Sequence, residues 1–152
     1  MKKIILSCLA VLVLLSMPYA SFAAKEVKVE VLYMNHGPLQ ESLEQVKKVL
    51  SRYGNKITVS WHDFESKEGE QFMAKKGVTQ HVPLVIWLDG KSALPIKGKE
   101  VKFVGFPTGS GPAFFQGKWT MEDLKSALEK MTNKKLGCHG LSLRLERTAP
   151  SP

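Results

Sequence analysis

Val82-Pro83-Leu84-Val85-Ile86-Trp87-Leu88 is apolar at every position and stops at Asp89-Gly90. A strand with one wet face alternates apolar and polar residues, so an unbroken run of this length marks a strand covered on both faces. The neighbouring segments supply the covers. Val27-Lys28-Val29-Glu30-Val31 alternates and then runs into Leu32-Tyr33-Met34, which predicts a first strand that becomes buried on both faces. Leu39, Leu43, Val46, Leu50 and Tyr53 follow at helical spacing, with Lys47, Lys48 and Arg52 opposite them and Gly54-Asn55 as a stop. Ile57 to Trp61 alternates again, and Glu65 to Lys76 predicts a shorter helix carrying Phe72 and Met73 and closed by Gly77.

Beyond the apolar run, Ser92 to Ile96 and Val101 to Phe106 predict two further strands around a Lys97-Gly98-Lys99 turn. A Gly/Pro-rich loop spans Pro107 to Gly117. Thr120-Met121-Glu122-Asp123 carries the hydroxyl-x-x-acid signal of a helix start, and Leu124, Ala127, Leu128 and Met131 form the apolar stripe behind it. The order β-α-β-α-β-β-α predicts an α/β fold, a three-layer α/β/α sandwich with a mixed sheet. Residues 134–152, with alternating Leu141, Leu143 and Leu145 and a Thr-Ala-Pro-Ser-Pro end, are expected to form a flexible tail.

The chain has 152 residues, 22 basic against 14 acidic side chains, a net charge of +8 and two cysteines. That is the size of one domain, and the composition excludes collagen, a disordered chain and a disulfide-dense mini-protein. The basic residues are scattered as pairs (Lys47-Lys48, Lys75-Lys76, Lys134-Lys135) with no interleaved aromatics, a pattern of solvated faces rather than of nucleic-acid binding. Met1-Lys2-Lys3, the apolar run from Ile4 to Met17 and the small-residue exit through Ser21 and Ala23 have the form of a secretory signal peptide, residues 1–23. The run is shorter than the ~20 residues a spanning helix needs, so no membrane span is expected after cleavage. The product is expected to be exported, periplasmic or extracellular, with residues 24–133 as the folded domain. Removal of the leader takes Cys8 and leaves Cys138.

Four features in order then give the chain its likeness to a family. A buried strand leads into Asn35-His36-Gly37-Pro38-Leu39 and a helix, where thioredoxin has W-C-G-P-C. Val78-Thr79-Gln80-His81-Val82-Pro83 before an apolar strand is similar to the family's V-x-x-x-P-T segment. Leu84 to Gly90 ends in Asp-Gly like the family's strand and turn, and Val101-Lys102-Phe103-Val104-Gly105 precedes a last amphipathic helix. Over about Val27 to Lys130 the chain resembles the thioredoxin family. The resemblance implies a thioredoxin-like sandwich, a cis proline at Pro83 and a groove beside it that takes extended substrate segments. That groove is formed by Asn35, His36, Gly37, Pro38, Leu39, Val82, Pro83 and Gly105.

The departures bear on activity. His36 and Leu39 stand where the family has its two cysteines, and thiol-disulfide exchange needs one thiolate to attack and a second thiol to resolve the mixed disulfide. Dithiol catalysis is therefore not expected, and the leading expectation is a non-enzymatic, redox-inactive domain that binds a protein or extended peptide. The family's first short strand is also missing ahead of Val27, and the connections 91–100 and 107–119 are longer than the family's. An alternative is a metal site for copper or zinc at His36 and His81, with Met34 as a further donor, since neutral imidazole is a competent ligand. A third is acid/base chemistry by His36, although no carboxylate partner is evident in the neighbouring sequence. Against these stands the plain reading of His36 and His81 as turn and loop residues. His62-Asp63 reads as a strand-end loop, and Trp61, Trp87 and Trp119 as core and loop packing, with a partly exposed Trp119 near Phe114-Phe115 as an alternative contact surface.

Overall fold

A computed structural model describes residues 26–145, with no side-chain description for Pro38 or for residues 135–145. The expected leader 1–23 and the last residues of the tail, 146–152, lie outside the described residues. The elements are β1 (Val27–Tyr33), α1 (Gln40–Ser51), β2 (Ile57–Asp63), α2 (Lys67–Lys76), β3 (Leu84–Leu88), β4 (Ala93–Ile96), β5 (Lys99–Lys102) and α3 (Met121–Leu145). The fold is mixed α/β. β1 lies between β2 and β3, parallel to β2 and antiparallel to β3, and β4 and β5 form a separate antiparallel hairpin. Phe103 to Gly105 ties that hairpin to the sheet: Ile86 N–H donates to Phe103 O (3.0 Å) and Gly105 N–H to Leu84 O (2.8 Å).

All five residues of β3 are buried, as an unbroken apolar run requires. On one face, Val27, Val29 and Val31 pack with Leu43, Val46 and Leu50 of α1 and with Leu124, Ala127 and Leu128 of α3. On the other, Leu32, Val85 and Trp87 pack with Phe72 of α2. Glu30 shares this second face and is 5% exposed. Its carboxylate lies 3.0 Å from Lys28 Nζ and 2.6 Å from Lys76 Nζ, and the Lys76 ammonium also sits 5.2 Å from the Phe72 ring and 5.3 Å from the Trp87 ring. The polar position that reads in sequence as a solvated face is thus covered by α2, with its charge neutralised by lysines on both sides.

Local chemistry sets the element ends. The Ser66 side chain caps α2 by accepting from Gly69 N–H (2.9 Å) and donates to Asp63 O, so the helix starts at Lys67 rather than at Glu65. Gly77 closes it at φ 66°, as expected. Thr120 and Asp123 cap α3 reciprocally, Thr120 N–H donating to the Asp123 carboxylate (2.8 Å) and Asp123 N–H to the Thr120 hydroxyl (3.2 Å).

Three expectations change. Lys97 and Gly98 both have positive φ, the geometry of a two-residue hairpin turn, so β5 begins at Lys99 instead of Val101, and it ends at Lys102 rather than at Phe106. The helix α3 continues to Leu145 through most of the segment read as a loose tail; Gly137 and Gly140 are weak helix formers, which hid this continuation in the sequence. No peptide bond among the described residues is cis, that before Pro83 included. Pro83 instead sits at a bend just before β3, its carbonyl accepting from Met34 N–H (3.0 Å).

Burial opposes ionisation of Glu30, but the hydrogen bonds and charges of Lys76 and Lys28 outweigh it and hold the carboxyl below its ordinary 4.5. The pairing therefore stabilises the fold above that pH, and its contribution is lost as the pH falls through the lower, folded-state value. Lys76→Met should destabilise by about 2–3 kcal/mol, less than the ~3–5 kcal/mol for stranding a buried charge because Lys28 remains. In denaturant titrations at a series of pH values, Glu30→Gln should show a flatter loss of stability than wild type below pH 4.5.

Candidate functional site

Because β1 and β2 are parallel and β3 is antiparallel to β1, the C-terminal ends of the first two strands and the N-terminal end of the third meet at one edge of the sheet. The segments that follow or precede them, 34–39, 64–66 and 81–83, are joined there by backbone hydrogen bonds. Met34 N–H donates to Pro83 O (3.0 Å) and Phe64 N–H to Tyr33 O (2.8 Å).

The expected groove residues divide by accessibility. Asn35, His36 and Gly37 are exposed and Val82 is half-buried, whereas Leu39, Pro83 and Gly105 are buried. Asn35 Oδ1 accepts from Gln40 Nε2 (2.6 Å), which braces the turn against the first residue of α1. His36 is the residue before the short helical turn Gly37–Leu39, and its carbonyl accepts from Leu39 N–H (2.9 Å). Its Nε2 lies 3.3 Å from Glu65 Oε1, with both side chains about half exposed. Leu39, 3% exposed, belongs to the main core beside Met34 and Leu43. Leu39 thus faces inward, while His36 carries an accessible imidazole. The backbone of Pro38 is second in the helical turn, among the first positions whose N–H has no partner within the helix, so its missing N–H costs nothing.

His81 is exposed, and its ring meets that of Phe64 edge-on at 4.8 Å. His36 and His81 are thus both drawn to the loop that leaves β2, one through Glu65 and the other through Phe64. Among the described residues, no group of three or more His, Cys, Asp or Glu side chains is placed to hold a metal ion. Met34, weighed as a further donor, is 2% exposed and packs in the core. The Glu65 partner of His36 is the contact that sequence reading missed. A signal was present, because a loop after the second of two parallel strands opens at the same edge as the loop after the first.

His62 lies at the end of β2, as expected, but is turned inward. Its ring stacks on Phe72 at 3.7 Å and 10°, with Nδ1 3.4 Å from Glu68 Oε1. Trp119 packs in the core, as its leading reading expected, and is 1% exposed, so it offers no contact surface: its ring packs edge-on against Phe103 (5.4 Å) and its Nε1 donates to Gly105 O (3.0 Å). Phe114, in contrast, is 80% exposed.

The loop 107–117 borders the same edge. Ser110 Oγ lies 2.6 Å from Ser42 Oγ in the first turn of α1, and Gln116 braces the loop from within by accepting from Gly109 N–H and donating to Gly111 O. Its far limb returns alongside the sheet, where Phe106 N–H donates to Phe115 O (2.8 Å) and Gly117 N–H to Phe106 O (2.6 Å). Gly105 lies under this limb at φ 76°, where an added Cβ would stand 2.7 Å from Phe115 O and 2.8 Å from Gly117 N. A side chain at this position would displace the loop as well as strain the backbone.

Gly105→Ala should therefore cost more than about 1 kcal/mol in chemical denaturation. It should also speed hydrogen exchange at the Phe106 and Gly117 amides. Gly37→Ala, whose Cβ meets nothing within 4 Å, should stay within about 0.5 kcal/mol of wild type. No model of a known protein family matches the chain, and no curated protein sequence matches it.

Proposed function

We propose that the chain is an exported, thioredoxin-like protein without dithiol chemistry, which binds a protein or extended peptide segment at the edge carrying Asn35, His36 and Gly37. The observation that carries the reading is the fate of the motif. Its Gly-Pro turn opens a helix at a strand end, His36 is accessible, and Leu39 is packed in the core where a resolving thiol would need to be reachable. The strand arrangement is compatible with the family likeness: β1 is flanked by a parallel and an antiparallel partner, and the chain around Phe103 to Gly105 lies beyond β3. The leader-like residues 1–23 support export.

In this reading the exposed side chains of Asn35, His36 and His81 contact the partner, while Leu39, Pro83 and Gly105 shape the surface from beneath. Glu65 holds the imidazole of His36 over the β2 loop. Phe114, on the loop that docks against α1, offers an apolar contact that a partner would cover.

Two measurements test it. The purified protein should give no dithiol-dependent reduction of insulin above the reductant alone; turnover would refute the redox-inactive reading. A photo-cross-linking residue placed at position 36 should give discrete protein adducts in the producing cells, and one at position 97 on the hairpin turn should not. Adducts at 97 with none at 36 would move the binding surface away from the motif.

A further inference from the structure

The geometry points to a second interaction surface, the outer edge of β2, which pairs with the same edge of a second copy of this chain. β2 is the end strand of its sheet among the described residues. The bond from Phe64 N–H to Tyr33 O, with Tyr33 in register with Asp63, fixes which main-chain groups face β1. Direction alternates along a strand, so Thr58, Ser60, His62 and Phe64 bond inward while Ile57, Val59, Trp61 and Asp63 direct their N–H and C=O groups outward. The Asp63 carbonyl is taken by Ser66. The groups of Val59 and Trp61 face a stretch that has no proline, no lysine and no bulge, the usual devices that keep an edge from pairing.

The segment is complementary to itself. An antiparallel two-fold centred on Ser60 sets Val59 against Trp61 of the second copy and Ile57 against its Asp63, all of them outward-directed residues. The main-chain groups of Val59 and Trp61 are then satisfied in both copies, and the Asp63 N–H reaches the Ile57 carbonyl. Val59 opposite Trp61 is a favourable pair of a β-branched with an aromatic side chain. The same residues line a cleft of about 240 Å³ between α1 and β2, floored by Leu50 and Ile57 and roofed by Lys47, whose ammonium sits 5.8 Å from the Trp61 ring. The facing copy would close that cleft.

Charge selects a copy of this chain as the occupant. The exposed side of α1 carries Glu41 and Glu44 in its first half, Glu44 lying 2.8 Å from Lys47 Nζ, and is basic at its end and just beyond, at Lys48 and Arg52. A two-fold axis midway between the two paired β2 strands runs the two α1 helices antiparallel and side by side. The acidic half of each then faces the basic half of the other, an isologous contact in which one patch serves as its own complement.

Sedimentation equilibrium of the protein purified after expression of the full chain should show a concentration-dependent dimer. Val59→Pro removes an outward N–H that β1 does not use, and should weaken dimerisation about tenfold or more. Two surface variants keep the test independent of folding. Glu41→Lys with Glu44→Lys, and Lys48→Glu with Arg52→Glu, should each weaken self-association, and mixing the two proteins should restore a dimer. A monomer at all concentrations overturns the proposal, as does a dimer unchanged by Val59→Pro. A monomer whose Val59 and Trp61 amides resist hydrogen exchange would assign the edge to the chain's own preceding residues or to another partner, and also overturns it.

Discussion

β3 must be hydrogen-bonded along both edges and covered on both faces, because five consecutive side chains from Leu84 to Leu88 are buried. β1 meets the first demand on one side, and the chain around Phe103 to Gly105 meets it on the other. The second demand places α1 and α3 over one face and α2 over the other. The candidate site follows from this arrangement. A strand antiparallel to β1 begins where β1 and β2 end, which brings Pro83 to Met34 and gathers three otherwise distant loops at one edge. The Gly/Pro-rich loop 107–117 is brought to that edge by Gly105, which stays next to β3 while the returning chain passes over it.

Lys76 shows how the thinner face is held. α2 has ten residues and contributes Phe72 as its buried aromatic, so the α2 side of the sheet has much less apolar cover than the α1 and α3 side. The Lys76 ammonium fills part of that gap, lying against the Phe72 and Trp87 rings while it neutralises Glu30. His62 uses the same helix differently, stacking on Phe72 from the edge strand. The helix therefore attaches through aromatic faces and charge together, which makes the hold of α2 on the sheet dependent on the ionisation of Glu30.

Periodicity located most elements because they are amphipathic with a period that only one backbone geometry satisfies, and β3 was located by its unbroken apolar run. Its errors fell where local rules compete. Ser66 shortened α2 by taking the cap, and the two positive φ angles at Lys97 and Gly98 moved the start of β5 up to the turn. The site was legible only as residue types. Asn35-His36-Gly37-Pro38 could be picked out from its place between a strand and a helix, and so could its lack of thiols. Which of these side chains face water could not be read, since Leu39 and His36 are both close to a helix start and only the packing of α1 on the sheet separates them.

The sequence by itself determined the order of elements, the double coverage of β3, the Gly77 end of α2, the cap of α3 and the absence of a cysteine pair at the motif. These are properties of neighbouring residues, and short-range sterics and hydrogen bonding are enough to impose them. Tertiary structure decided the burial of Glu30 between two lysines, the contact of His36 with Glu65, the inward turn of His62 and Trp119 and the open edge of β2. Each of those depends on which strand lies beside which, and that is settled by the joint requirement to bury apolar area and pair main-chain groups across residues far apart in the chain.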